Sequence, residues 1–152
     1  MRQAAFGCGY AARCVAHHKQ REGLGSMNPP TEIIYGEVVG KASHYMAVPA
    51  ADGQNRIIKD EFIRNYEKSF LSQCKIYRNR LIAKPFYLVV DVFYCSARKD
   101  IDNSLKTILD CLQYAKAIKD DNLCYQIRAT KHIDRVRPRV EYSIIELEPR
   151  LF

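Results

Sequence analysis

Residues 97 to 132 read "ARKDIDNSLKTILDCLQYAKAIKDDNLCYQIRATKH". Asp100 and Asp102 are separated by one residue, Lys106 follows four positions after Asp102, and a second acidic pair, Asp120 and Asp121, closes the segment. Carboxylates drawn to one point repel one another unless a cation sits among them. An all-oxygen site of Asp100, Asp102 and Asp121 suits Mg²⁺ or Mn²⁺, hard ions that keep several waters and use few carboxylates plus a substrate phosphate. On a basic protein the matching chemistry is phosphodiester hydrolysis: the ion activates water, binds a non-bridging oxygen and stabilises the departing 3′ oxyanion. Lys106 would hold the nucleophilic water or offset charge in the transition state. Each residue also has a purely structural reading. Asp102 or Asn103 is a good helix N-cap, worth about 1 kcal/mol. Lys106 with Asp102 is an i,i+4 ion pair worth a few tenths of a kcal/mol. Asp110 extends the same exposed ladder, and Asp120 and Asp121 form a polar turn. A cap explains one acid and leaves Asp100, beside Arg98 and Lys99, without a structural role.

The convergence of the three acids carries a geometric demand. A helix unbroken to Ala117 would run roughly 22 Å at about 1.5 Å per residue and hold Asp121 far from Asp102. The site therefore requires the helix to end near Leu112 or Gln113, so that the next seven or so residues, able to span about 23 Å, return toward its start. The other route is for Asp121 to reach the site across a dimer.

The elements that must position these residues are legible from periodicity. "KPFYLVVDVFYC" is nearly continuous in β-branched and aromatic residues and predicts a central, well-buried strand. Asp91 lies inside it and is left out of the site. The acids follow its C-terminal end, where open α/β sheets commonly place ligands. Asp100 and Asp102, two apart on extended backbone, would face one way. The next helix packs Leu105, Ile108, Leu109, Leu112 and Ala115 on one face. Upstream, "TEIIYGEVV" predicts a first strand, and "GKASHYMAVPAADGQNR" a strand or loop turning at Asp52-Gly53. Residues from Lys59 to about Leu81 predict a helix with Phe62 or Ile63, Tyr66, Phe70, Cys74 and Tyr77 along its buried stripe. "LCYQIRATKH" and "PRVEYSIIEL" predict two closing strands. The expected fold is α/β (α+β): one compact domain, a mixed sheet with two main helices packed against it.

The length of 152 residues, with 47% hydrophobic and 27% charged content, fits a single globular domain. A formal charge of +7 favours a polyanionic partner. Lys75, Arg78, Arg80, Lys84, Arg98 and Lys99 are the candidate DNA-binding residues, with Arg64 and Lys68 on the same basic helix; a surface that only keeps the domain soluble is the equal alternative. No apolar run approaches the roughly 18 to 20 residues of a spanning helix, so a membrane is not expected. The six cysteines, Cys8, Cys14, Cys74, Cys95, Cys111 and Cys124, contain no C-x-x-C pair and read as free thiols in a reducing cytoplasm. With His17, His18, His44 and His132 they show no zinc spacing. Residues 1–26 lack sustained period and read as a leader, an expression remnant or a misplaced start, with residues 27–152 as the folded domain. They do not read as a secretory signal, because Arg13 interrupts the apolar stretch.

The run "DIDNSLKTILDCL…KDDN…YQIRATK" resembles the signature of the RusA family of Holliday-junction resolvases: an acid, any residue, an Asp-Asn pair, a lysine three positions after the Asn, then an Asp-Asp before a strand. The match is dense over residues 98–131 and extends loosely from 31 to 147. It implies a RusA-like fold, with Asp100, Asp102 and Asp121 as catalytic, metal-binding carboxylates, Lys106 as a supporting catalytic residue, and further counterparts at Asn103 and Asp120. It also implies a Mg²⁺- or Mn²⁺-dependent endodeoxyribonuclease acting as a homodimer on four-way DNA junctions in recombination and repair, with no nucleotide cofactor. Two-fold protein and two-fold substrate are mutually consistent. Where family members often carry Asn-Gly at the end of the helix, this chain has Gln113-Tyr114, so the reversal needs another route. Two other functions are open to the same sequence: a branched-DNA-binding protein of the same fold with little cleavage, and a basic scaffold whose acids are only caps and turns.

Overall fold

The computed structural model describes residues 28–41, 45–49 and 51–148. The leader assignment for residues 1–26 lies outside them, as do Cys8, Cys14, His17, His18 and His44. Strand β1 (Glu32–Tyr35) is followed by a hairpin of β2 (Tyr45–Pro49) and β3 (Asn55–Lys59), helix α1 (Glu61–Gln73), strand β4 (Phe86–Tyr94), helix α2 (Ile101–Tyr114) and strands β5 (Cys124–Ile133) and β6 (Arg139–Glu146). The main sheet has the order β1-β6-β4-β5, with β4 and β5 parallel and the other pairs antiparallel. The α+β layout expected from periodicity is the one observed, and among the described residues the two short strands β2 and β3 pair only with each other.

Strand β4 alternates fully buried with half-buried residues. Phe86, Leu88, Val90, Val92 and Tyr94 face the helices, while Tyr87, Val89, Asp91 and Phe93 face outward. Each fully buried apolar side chain of this kind contributes roughly 1.5–3 kcal/mol through removal from water. Both helices cover the same face. Phe70 of α1 stacks on Tyr142 of β6 at 5.9 Å between ring centroids, and Ile108, Cys111 and Leu112 of α2 complete the core. On the outward face Asp91 is paired with His132 at 2.9 Å, which accounts for this acid without any ligand role. The four described cysteines are free thiols, two of them in the core.

Helix α1 stops at Gln73, short of the predicted Leu81. The reason is Glu32, whose buried carboxylate accepts the backbone N–H groups of Lys75, Ile76 and Tyr77 at 2.7 to 3.0 Å. Those donors would otherwise continue the helical ladder, and the chain turns away at Cys74 instead. Tyr77 stays in the core from its new position, donating its hydroxyl to the Pro30 carbonyl at 2.6 Å.

Candidate active site

Helix α2 begins at Ile101, so its N-cap is Asp100, in extended conformation, rather than Asp102 or Asn103. Asp102 is already helical, in the first turn, and the two acids do not share one extended stretch. The Asp100 carboxylate makes no cap hydrogen bond, and among the described residues neither it nor Asp102 accepts a hydrogen bond or a salt bridge. The helix start is held instead by its backbone and neighbours. Tyr94 donates to the Ser104 hydroxyl at 2.5 Å, and Ser104 donates to the Asp100 carbonyl at 3.2 Å. Burial raises the Tyr94 phenol above its usual range, so it remains a donor. From β5, Lys131 ties down the preceding loop by donating to the Ala97 and Lys99 carbonyls at 2.8 and 2.5 Å. Gly40 packs against this first turn so closely that an added Cβ would lie 3.0 Å from the Asn103 Cβ.

The reversal after α2 is achieved without glycine. Lys116 adopts φ 54°. The N–H of Ala117 then bonds the Leu112 carbonyl and the N–H of Lys116 bonds the Gln113 carbonyl, both at 2.9 Å. This is the Schellman arrangement, with a lysine in the left-handed position that glycine usually occupies. Helix α2 therefore runs only to Tyr114, one residue past the expected limit. The returning strand-like segment is docked by backbone bonds from Leu81 to Lys116 and from Ile82 to Ala117, at 2.9 and 3.0 Å.

The return places Asp121 beside Lys106, whose ammonium donates to its carboxylate at 2.9 Å. This hydrogen bond holds Asp121 below the usual carboxylate range and, reciprocally, raises Lys106. Lys106 does not pair with Asp102. Its second acid is Asp110, at 3.3 Å, so Asp121 lies on the Asp110 side of the lysine. Asp110 is not part of an exposed ladder: its other oxygen is bonded by Lys41, itself 7% exposed. Asp120 caps the short 3-10 turn Asp121–Leu123, accepting the Asn122 N–H at 2.9 Å. Among the described residues, no three His, Cys, Asp or Glu side chains gather closely enough to hold a metal ion as they stand.

The basic residues form two groups. Arg98 and Lys99 immediately precede Asp100 in the exposed loop after β4, whereas Lys75, Arg78, Arg80 and Lys84 come before β4 in the chain. Along the chain the nine residues of β4 lie between Lys84 and Arg98, while Lys75 sits beside the middle of the sheet, its N–H bonded to Glu32, which lies level with Tyr142 and Val90. Arg80 lies over the Tyr77 ring at 4.9 Å and Lys84 is 3.8 Å from Glu146. Three polar residues that serve the site, Lys41, Asp110 and Lys131, were not distinguished by local pattern. For Lys41 no local signal existed, since its partner is 69 positions away. For Lys131 the alternation of β5 places it in register with Val92, on the helix side. No helix among the described residues is long and apolar enough to cross a membrane.

Comparison with known proteins yields two findings. The family profile described as "Endodeoxyribonuclease RusA" matches residues 36–145, a stretch that contains Asp100, Asp102, Asp110, Asp120 and Asp121. The chain is 36% identical over 52 residues to a "Crossover junction endodeoxyribonuclease RusA" from Aquifex aeolicus (strain VF5). That stretch covers 34% of this chain and 39% of the relative.

Proposed function

This chain belongs to the endodeoxyribonuclease RusA family, and we propose that it is a metal-dependent, structure-selective endodeoxyribonuclease that resolves four-way DNA junctions by phosphodiester hydrolysis. The observation that carries this reading is the N-cap of α2. Asp100 occupies the capping position and Asp102 the first turn, yet neither carboxylate is engaged in holding the helix. Such acids are available as hard oxygen donors, and their chemistry fits Mg²⁺ or Mn²⁺. Asp121 would complete the donor set, with the cation in place of Lys106 as its partner. When bound, the ion supplies Lewis-acid stabilisation of the phosphate and an activated water. Lys106, still held by Asp110, would offset the charge of the scissile phosphate. Arg98 and Lys99 hold the DNA backbone next to the acids, and Lys75, Arg78, Arg80 and Lys84 engage phosphates farther along the same arm. A homodimer supplies one such site for each of the two strands that must be cut.

The test is a synthetic four-way junction incubated with Mg²⁺ and the protein, alongside the Asp102→Asn variant. Paired nicks by the wild type, with binding retained and nicking lost in the variant, is the expected outcome. Absence of nicking by both proteins would move the reading to a junction binder. Equal affinity for the junction and a linear duplex across a salt series would remove structure selectivity as well.

A further inference from the structure

A line of alternating charges runs from the interior to the proposed centre: Glu67 on α1, Lys41, Asp110 on α2, Lys106 and Asp121. Lys41 bonds one oxygen of Asp110 and lies 3.7 Å from Glu67. The other Asp110 oxygen is 3.3 Å from the Lys106 ammonium, which holds Asp121 at 2.9 Å. Exposure rises from 9% for the Lys41 side chain through 18% for Asp110 to 59% for Lys106. The inner end is correspondingly fixed. The segment carrying Lys41 is seated on α2 by the Thr107 hydroxyl, which donates to the Val39 carbonyl at 2.7 Å, and by the close approach of Gly40 to Asn103. A long exposed lysine normally samples many rotamers, and holding it in one costs up to about 2 kcal/mol of side-chain entropy. Here the buried end of the line supplies the restraint.

We infer that Lys41 and Asp110 are positioning residues: the buried Lys41 ammonium orients the Asp110 carboxylate, whose outward oxygen holds Lys106 where it meets Asp121. This rests on the proposed nuclease reading for its function, while the restraint itself is a property of the fold. Neither Lys41 nor Asp110 touches Asp100 or Asp102 in any described contact. Their influence on cutting passes through Lys106.

The test uses the full chain with Lys41→Met, Asp110→Asn and Lys106→Ala, singly and in pairs with Lys106→Ala. Asp110→Asn keeps the shape of the side chain and serves where Lys41→Met fails to fold. Single-turnover cleavage of a four-way junction should fall roughly tenfold in Lys41→Met and Asp110→Asn, the scale expected when a catalytic group loses its placement. Junction affinity measured in Ca²⁺ should stay within about twofold of wild type. In the Lys106→Ala background neither change should lower the rate further. An unchanged rate in both variants, or the same tenfold loss in that background, would overturn the inference. The second readout needs no DNA: the NMR order parameter of the Lys106 side-chain Cε in the free protein. It should drop in both variants, and an unchanged value overturns the restraint whether or not the chain cuts. A drop in a protein that nicks no junction would refute the nuclease reading alone.

Discussion

Replacing Glu32 with glutamine should cost about 3 kcal/mol and disturb the route that delivers Asp121. In the wild type one carboxylate oxygen accepts the N–H groups of Lys75 and Ile76 at 2.7 and 3.0 Å. The other accepts Tyr77 N–H at 3.0 Å and the Tyr142 hydroxyl at 3.4 Å. Glutamine keeps one oxygen and turns an NH₂ group toward two donors. A buried N–H left without an acceptor costs about 1–3 kcal/mol, and the surviving bonds lose their charge assistance, roughly half their strength. The easier burial of a neutral amide offsets part of this, leaving about 3 kcal/mol of an overall stability of roughly 5–15 kcal/mol. For a chain of this size that corresponds to a fall in Tm of roughly 6–12 °C. Thermal and urea unfolding of Glu32→Gln beside wild type measure it directly. The same variant should cut junctions more slowly, because the segment after α1 carries Leu81 and Ile82, which dock the residues leading to Asp121. A Tm within about 1 °C of wild type would refute the claim that Glu32 terminates α1 by capturing these donors.

Lys116→Gly should raise stability by about 1 kcal/mol in guanidinium melts, since a left-handed lysine costs about 1–2 kcal/mol and glycine's extra unfolded-state freedom returns only part of that; no gain would mean the reversal is not strained. Gly40→Ala forces a contact near 3.0 Å with Asn103, so it should cost about 1–3 kcal/mol as overpacking and reduce junction cleavage by shifting the first turn of α2. The pair of Lys106 and Asp121 gives a pH signature. The folded value of Asp121 is lowered by its hydrogen bond to Lys106, so its stabilisation is present above the unfolded carboxylate value of about 3.9 and is lost as pH falls through the lower folded value. Lys106 is raised by Asp121 and then by Asp110, so its contribution is present below its unfolded value of about 10.4 and is lost as pH rises through the higher folded one. The stability difference between wild type and Lys106→Ala should thus be flat from about pH 5 to 9, shrink below about pH 4, and stay within about 1 kcal/mol for so exposed a pair. Urea melts across that range check it, and a difference that persists unchanged to about pH 2.5 would contradict it.

Much of the architecture could be recognised before any coordinates. The nine residues of β4, the apolar stripe of α2 and the alternation in β6 carry periods that only one kind of element can bury, and side-chain hydrophobicity along the chain records those periods directly. The acids of the family signature were legible for the same reason: Asp100, Asp102, Lys106 and Asp121 are clustered in a short stretch with fixed spacing. What periodicity overran was the end of α1. The apolar stripe continues through Tyr77, but the decisive acceptor, Glu32, stands more than forty positions upstream.

The site's inner support was likewise invisible to local pattern. Lys41 and Asp110 each look like ordinary surface charges, and only folding brings them together across 69 positions, largely shielded from solvent. The sequence by itself thus determined which elements form and which acids stand at the start of α2 and before β5, because propensity and hydrophobic spacing act over a few neighbouring residues. Tertiary structure alone decided where α1 ends, how a segment without glycine turns after α2, and which cation Asp121 meets, because hydrogen bonds and ion pairs depend on distance in space.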